Sequence, residues 1–206
     1  THQEKLWRGD FGTAYIQRNA VDPKTLALRT RIWAKVLETV AGAPPSSILE
    51  VGANIGLNLR ALANLTSAEL IAVEPNNTAR ERLVADGVVK DGQALDGVAS
   101  NIDLPDASVD LAFTCGVLIH IHPDQLLSSC TEIVRVARRY VVCVEYFANK
   151  PAEVPYRDQR DALFVRDFGS FYLDNFPNLK VIDYGFFWNR TTGLDDLTWW
   201  VFEKRA

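Results

Sequence analysis

The stretch Ile48-Leu-Glu-Val-Gly-Ala-Asn-Ile-Gly-Leu57 decides the fold, with Ile71-Ala-Val-Glu-Pro75 following about one strand-and-helix unit later. An apolar run ends in a Gly-rich turn, a helix opens, and a second apolar run ends in an acid. That is the layout of a nucleoside-binding crevice at the carboxyl edge of a parallel sheet. A dinucleotide site wants Gly-x-Gly-x-x-Gly, because a pyrophosphate must come close to the backbone. Here Asn54 and Leu57 stand where the second and third glycines would be. Their absence weakens a nicotinamide-dependent oxidoreductase. Glu50, two residues before the turn, adds a carboxylate where a phosphate would be repelled. A ligand with a ribose, an adenine and a cationic sulfonium suits this edge better.

Glu50-x-Gly52-Ala-Asn-x-Gly56 resembles the E/D-x-G-x-G-x-G signature of class I methyltransferases that use S-adenosylmethionine (SAM). Asn54 replaces the middle glycine, and Asn tolerates left-handed backbone angles better than other non-glycine residues. The resemblance continues at Glu74, where the family binds the ribose hydroxyls, and in Leu104-Pro-Asp-Ala-Ser-Val-Asp-Leu-Ala-Phe-Thr-Cys-Gly116, which leads into strand four. A narrower likeness lies in Trp7-Arg-Gly-Asp-Phe-Gly12, Tyr15-x-x-Arg-Asn19, Gly116-Val-Leu-Ile-His-Ile-His-Pro123 and Glu145-Tyr-Phe147. With Tyr156-Arg157, Arg166-Asp-Phe168 and Asp195-Asp-Leu-Thr-Trp-Trp200, these segments are similar to methylases associated with pseudaminic acid biosynthesis. The resemblance implies a Rossmann-like α/β fold: a seven-stranded, mostly parallel sheet in the order 3-2-1-4-5-7-6, with an antiparallel terminal strand. It also implies SAM as cofactor and a sugar acid, or its nucleotide-activated form, as acceptor.

Composition sets bounds around this reading. A chain of 206 residues fits one domain and can bury a real core. Residues 1–206 are therefore expected to form a single domain, with 1–45 covering the cofactor site. Apolar content of 48% with 23% charged residues is ordinary for a soluble globular protein. The net charge of −4, without a Lys/Arg-rich run, argues against a nucleic-acid partner. No apolar run reaches the roughly 18 residues of a membrane span. The polar start Thr1-His-Gln-Glu-Lys is unlike a signal peptide. Cys115, Cys130 and Cys143 are odd in number and lack zinc spacing, so they read as buried thiols in a reducing cytoplasm. No metal is expected, and the oligomeric state is left open.

Alternation of strands and helices supports the α/β class. Residues 1–22 show no clear period. Asp22-Pro23 opens a helix with Leu26, Ile32, Val36, Leu37 and Val40 inward, stopped by Gly42-Ala-Pro-Pro45. Strands are expected at about 47–52, 69–74, 109–115 and 140–146, with a short strand or loop at 88–90. Helices are expected after the Gly-rich turn (Ile55, Leu59, Leu62 and Leu65 inward), up to about 86–87, from Pro123 to Ala137, and near 160–175. Leu179–Trp188 and Leu197–Glu203 read as a terminal hairpin across Asn189–Asp196.

The candidate site follows. Glu74, with Pro75 beside it, can accept two hydrogen bonds from the adjacent hydroxyls of a ribose. Glu50 orients the turn and can reach the methionine amino group through water. Gly52, Ala53, Asn54 and Gly56 let the backbone approach the ligand, with helix N-terminal amides available for its carboxylate. By the resemblance, Ser100, Asn101 and Ile102 contact adenine, with Asp103 an alternative reader. Cys115, Gly116 and Val117 face the methionine part, Gly116 leaving room for the sulfonium and the incoming nucleophile. Tyr15 belongs to an amino-terminal segment that closes over SAM in such folds.

Just beyond strand four, His120 and His122 stand above the expected methyl. A histidine titrates near neutral pH and can take a proton from a hydroxyl or amine, so His120 is the candidate base or substrate orienter. Packing, or a cap before Pro123, is the alternative. Trp7, Phe11, Arg18, Asn19, Tyr146, Tyr156, Arg157 and Arg166 are candidates for the acceptor, the arginines because a guanidinium matches a carboxylate. Core packing and ion pairs with Asp158, Asp161 or Asp167 compete with that role. Two further readings remain at this point: a specialised-metabolism enzyme acting on an amino acid or other small molecule, and a SAM-binding module without turnover.

Overall fold

A computed structural model describes residues 1–19, 21–156 and 161–205. Strands β1 (Ser47–Val51), β2 (Glu69–Val73), β3 (Ala94–Leu95), β4 (Val109–Cys115) and β5 (Ala137–Glu145) run parallel. The hairpin β8 (Leu179–Phe187) and β9 (Leu197–Lys204) completes a seven-stranded sheet ordered β3-β2-β1-β4-β5-β9-β8, in which β9 alone is antiparallel to its neighbours. Without a small side pair, β6 (Ala152–Glu153) and β7 (Phe164–Val165), this is the expected order.

Both faces of the sheet are covered, so its central strands are buried on both sides and mostly apolar, Glu50, Asp110 and Thr114 being the buried polar exceptions in β1 and β4. Along β1, Ile48 and Leu49 are each fully buried but belong to different clusters, as a period of two requires. Ile48 packs with Trp33 and Val36 of α3 (Pro23–Glu38), Leu62 of α4 (Leu57–Ala63) and Leu83 of α5 (Asn77–Ala85). Leu49 packs with Cys130 and Ile133 of α6 (Pro123–Val136) and Phe168 and Tyr172 of α7 (Phe168–Asn175). At the far end Trp199 and Trp200 split the same way, and a Cβ on Gly169 would lie 2.2 Å from Trp200 Nε1, so α7 can sit there only with glycine.

Caps set where the helices begin. Asp22 accepts from the Thr25 amide before Pro23, and Asn76 accepts from the Ala79 amide at the start of α5. Several elements differ from expectation. Residues 1–18 form two short helices, α1 (His2–Arg8) and α2 (Asp10–Arg18), the first with a Thr1/Glu4 capping box. The third strand is at 94–95, not 88–90; Val88 instead lies over the Gly-rich turn near Gly56. Ala137 begins β5, so α6 passes into that strand with no loop between them. The helix expected near 160–175 starts only at Phe168, because Phe164–Val165 pairs with Ala152–Glu153. Leu65 lies beyond α4 and is exposed. A one-turn helix α8 (Asn189–Thr192) fills the hairpin turn. Among the described residues, no helix is long and apolar enough to cross a membrane.

Candidate functional site

The carboxyl ends of β1, β2 and β4 open on one cavity. Its walls are the Gly-rich turn, Glu74–Asn76, residues 97–100, Cys115–Val117 and His120–His122, with Trp7 and Tyr15 contributed by α1 and α2. Three residues of the turn adopt left-handed backbone angles: Gly52 (φ 77°), Asn54 (φ 49°) and Gly56 (φ 73°). Asn54 thus takes the conformation its glycine counterpart would. The two glycines are needed for packing as well as for torsion. A Cβ on Gly52 would lie 2.7 Å from Val117 Cγ2, and one on Gly56 would lie 2.6 Å from Leu83 Cδ2. Gly52 and Ala53 line the cavity, whereas Gly56 does not.

Glu74 holds the turn together. Its Oε2 accepts from the Asn54 amide at 2.7 Å and its Oε1 from the Asn76 amide at 2.8 Å. Each carboxylate oxygen keeps a further lone pair for hydroxyl donors. Burial raises the pKa of Glu74, against the pull of those two amides. Glu50 ends a second chain: its Oε1 accepts from Asn58 Nδ2 at 2.6 Å. Asn58 Oδ1 in turn accepts from Arg29 Nη1 at 2.6 Å and Trp33 Nε1 at 3.1 Å. Burial pushes Glu50 up to about 8. Glu50 Oε2, Asn54 Oδ1 and Arg29 Nε are buried without a hydrogen-bond partner, and all three residues line the cavity. Buried polar groups normally have partners. Acceptors and a guanidinium on one wall, with Glu74 on the next, suit an amino-acid zwitterion joined to a ribose.

His120 ends a single 3-10 turn, Leu118–His120. Its Nδ1 lies 2.6 Å from the Ala162 carbonyl oxygen. A carbonyl only accepts, so Nδ1 carries the hydrogen and Nε2 keeps the lone pair. The ring packs 5.0 Å from those of Trp7 and Tyr156. Burial lowers the His120 pKa, outweighing the Ala162 bond that would raise it. His120 is therefore a neutral imidazole at physiological pH. His122 differs: its Nδ1 accepts from the Asp124 amide at 3.3 Å and caps α6, the role weighed for a residue before Pro123. Among the described residues, no group of three or more His, Cys, Asp or Glu side chains could hold a metal ion.

The other expected residues divide. Tyr15, Asn19, Pro75, Ser100, Cys115, Gly116 and Val117 line the cavity. Cys115 is half-buried rather than buried as expected, unlike Cys130 and Cys143, and desolvation pushes its thiol up to about 12. Asn101 and Ile102 stand away from the cavity wall. The chain turns at a Val98–Asn101 bridge, Asn101 is exposed, and Ile102 is buried with its amide donating to Glu132 at 3.1 Å. Residues 97–100 form that wall instead. Phe11 and the exposed Arg18 stack outside it, Arg18 5.5 Å from the Phe11 ring. Tyr146 donates to Asp195 at 3.0 Å and faces a separate groove with Tyr184, Phe186 and Trp200. Arg166 lies 4.3 Å over Phe171 and, like Tyr156, does not line the cavity. Arg157 lies outside the described residues. Sequence reasoning missed Arg29, Asn58, Gln125 and Ser129, which line the cavity from helix faces and carry no motif.

Comparisons with known proteins agree with this architecture. Residues 49–164 match the family described as "Methyltransferase domain". The Burkholderia thailandensis 1,6-didemethyltoxoflavin-N1-methyltransferase, solved with 1,6-didemethyltoxoflavin and S-adenosylhomocysteine, is 18% identical. The match covers 100% of this chain and 90% of that one, with a TM-score of 0.72. A SAM-dependent methyltransferase of Leishmania major is 16% identical over 98% of this chain and 81% of its own, with a TM-score of 0.74. Magnesium protoporphyrin IX methyltransferase of Synechocystis, solved with SAM, is 13% identical over 98% and 95%, with a TM-score of 0.66. At such identities the likeness is one of fold. No curated protein matches the chain.

Proposed function

This chain belongs to the methyltransferase-domain family, and from that premise we propose that it methylates an oxygen or nitrogen of a small polar metabolite, a sugar acid or nucleotide-activated sugar of the pseudaminic acid type. It is an enzyme, and its cofactor is SAM. The observation that carries the choice of nucleophile is His120, a half-buried neutral imidazole whose Nε2 lone pair is left free by the Ala162 carbonyl.

SAM supplies an electrophilic methyl on a sulfonium. Glu74 holds the ribose diol, Glu50 and Arg29 take the amino-acid end, and residues 97–100 with Pro75 bracket the adenine. Asn54, with its unpaired Oδ1, is a further polar group on the cavity wall. The chain's contribution to the reaction is alignment, worth a large share of the barrier when the reacting atoms are held in contact. His120 adds removal of the acceptor's proton at Nε2.

Support for a sugar acceptor comes from the segments similar to pseudaminic acid methylases. It also comes from Trp7 and Tyr15, whose rings suit C–H faces, beside Gln3, Asn19 and Gln125, which suit hydroxyls. A second reading, an amino acid or other specialised metabolite, is favoured by one observation. Arg29 is the only Lys or Arg among the described residues of the cavity wall, so neither Arg18 nor Arg166 meets an acceptor carboxylate there. In either case residues 1–206 act as one cytoplasmic domain, with 1–45 over the cofactor and no nucleic acid involved.

The test is a metabolite-library assay with labelled SAM and mass detection of the product, run with wild-type and His120→Ala protein. We expect His120→Ala to bind SAM normally and to turn over about 10²–10⁴-fold more slowly. A folded variant of near wild-type rate removes the base assignment.

A further inference from the structure

Glu145, the last residue of β5, opens the Glu145-Tyr-Phe147 segment and is wholly buried. Its carboxylate meets the turn that carries His120. Oε1 accepts from the Val117 and Leu118 amides, each at 3.1 Å, and Oε2 from the Ile119 amide at 3.5 Å. The turn is shaped for this. Gly116 is left-handed (φ 68°) and Val117 right-handed (φ −116°, ψ −47°), a succession that converges neighbouring N–H groups on one point. Such a concavity binds anions. A Cβ on Gly116 would meet nothing within 4 Å, so the glycine is required here by torsion rather than by space.

We infer that Glu145 is the positioning residue of the acceptor site: it fills the amide concavity of residues 117–119 and thereby fixes both Val117 and the His120 imidazole. The inference rests on His120 being the base proposed above. Two anchors then hold the histidine, one on each side. Glu145 fixes the backbone ahead of it, and the Ala162 carbonyl fixes its Nδ1 at 2.6 Å. The His120 amide closes the turn on the Val117 carbonyl at 2.9 Å, so a displaced Val117 moves the histidine with it. Three amide donors favour the ionised carboxylate, whereas burial pushes Glu145 up to about 7. The clamp is therefore held by a group near the edge of its charged range.

The test observes the His120 ring nitrogens and the backbone amides of the full chain by NMR, and needs neither acceptor nor turnover. Wild-type protein should show a single Nδ1–H tautomer and slow exchange at Val117, Leu118 and Ile119. Glu145→Gln keeps the shape but turns an NH₂ donor toward those amides. It should mix the two tautomers and speed the three exchanges by about tenfold or more. Should that variant not fold, Gly116→Ala strains the same turn without touching Glu145 and should give the same two signatures. Folded variants that retain one tautomer and wild-type exchange overturn the inference. A His120→Ala enzyme of full rate, by contrast, removes the base while loosened amides in Glu145→Gln leave the clamp in place.

Discussion

Replacing Glu74 with alanine tests the cofactor site most directly, because one carboxylate serves two purposes. In the protein alone it accepts from the Asn54 and Asn76 amides at 2.7 and 2.8 Å. Losing it strands two N–H donors, each costing about 1–3 kcal/mol when buried. Asn76 is buried and the Asn54 bond is partly so, so the two together cost about 2–6 kcal/mol of stability. SAM then loses its diol acceptor, a further ~1–3 kcal/mol, which is roughly a 5- to 150-fold rise in Kd. Glu74→Gln is no milder for the turn. Its single carbonyl oxygen can serve one amide, while its NH₂ confronts the other, donor against donor. We expect both variants to melt several degrees lower and to bind SAM more weakly by calorimetry. A folded Glu74→Ala protein with unchanged affinity for SAM would refute the placement of the ribose.

Other outcomes follow from the same site. The Glu50 pKa of about 8 keeps its carboxyl largely protonated at pH 7, so binding a cationic amino group beside it should release roughly one proton per SAM. Calorimetry in buffers of different ionisation enthalpy measures this, and no buffer dependence would remove Glu50 from contact with the cation. Because that pKa is raised from 4.5, the stability Glu50 confers is complete below about pH 4.5 and is lost as pH rises towards 8. His120 has the opposite shift: its pKa is lowered from 6.5, so kcat/KM should hold through neutrality and fall only on the acid side of 6.5. An acid limb above that value would point to another base. Gly52→Val combines a left-handed torsion with a clash against Val117 and should destabilise by about 2–5 kcal/mol. Chemical denaturation checks this, a wild-type midpoint being the contrary result.

The sheet was legible in the sequence where strands are doubly covered. β1, β4 and β5 bury both faces along most of their length and so appear as predominantly apolar runs, and the terminal hairpin carried its own turn residues. β3 was not legible. At two residues it has no period, and of Val88-Val89, better strand formers, the first packs over the Gly-rich turn and the second into the core. The amino-terminal helices escaped because α1 buries no residue fully, so no apolar face marks it. In the site, Glu50, Asn54 and Glu74 could be found because backbone geometry dictates them. Arg29 and Asn58 could not: their hydrogen bond joins residues 29 apart on separate helices, and nothing local to either announces it. Gly52 and Gly56 were expected from the motif, but their packing against Val117 and Leu83 joins residues far apart in sequence and could not be read locally.

The shallow seating of α1 bears on how long a product stays. Seven residues make a helix that is marginal by itself, and this one is moored by Gln3 to the Asp161 carbonyl, Arg8 to Pro75 and Asp96, and Asn76 to the Trp7 carbonyl. None of those ties crosses the core, yet Gln3, Glu4 and Trp7 wall the cavity. We expect this segment to open locally while the sheet stays intact, giving residence time a barrier of its own below that of global unfolding. The Arg8–Asp96 pair is solvent-accessible, and salt screens such pairs. Amide exchange at residues 2–8 should accordingly quicken with ionic strength, and release of the demethylated cofactor should quicken in step. Exchange there that matched the central strands would mean that the enzyme has no such door.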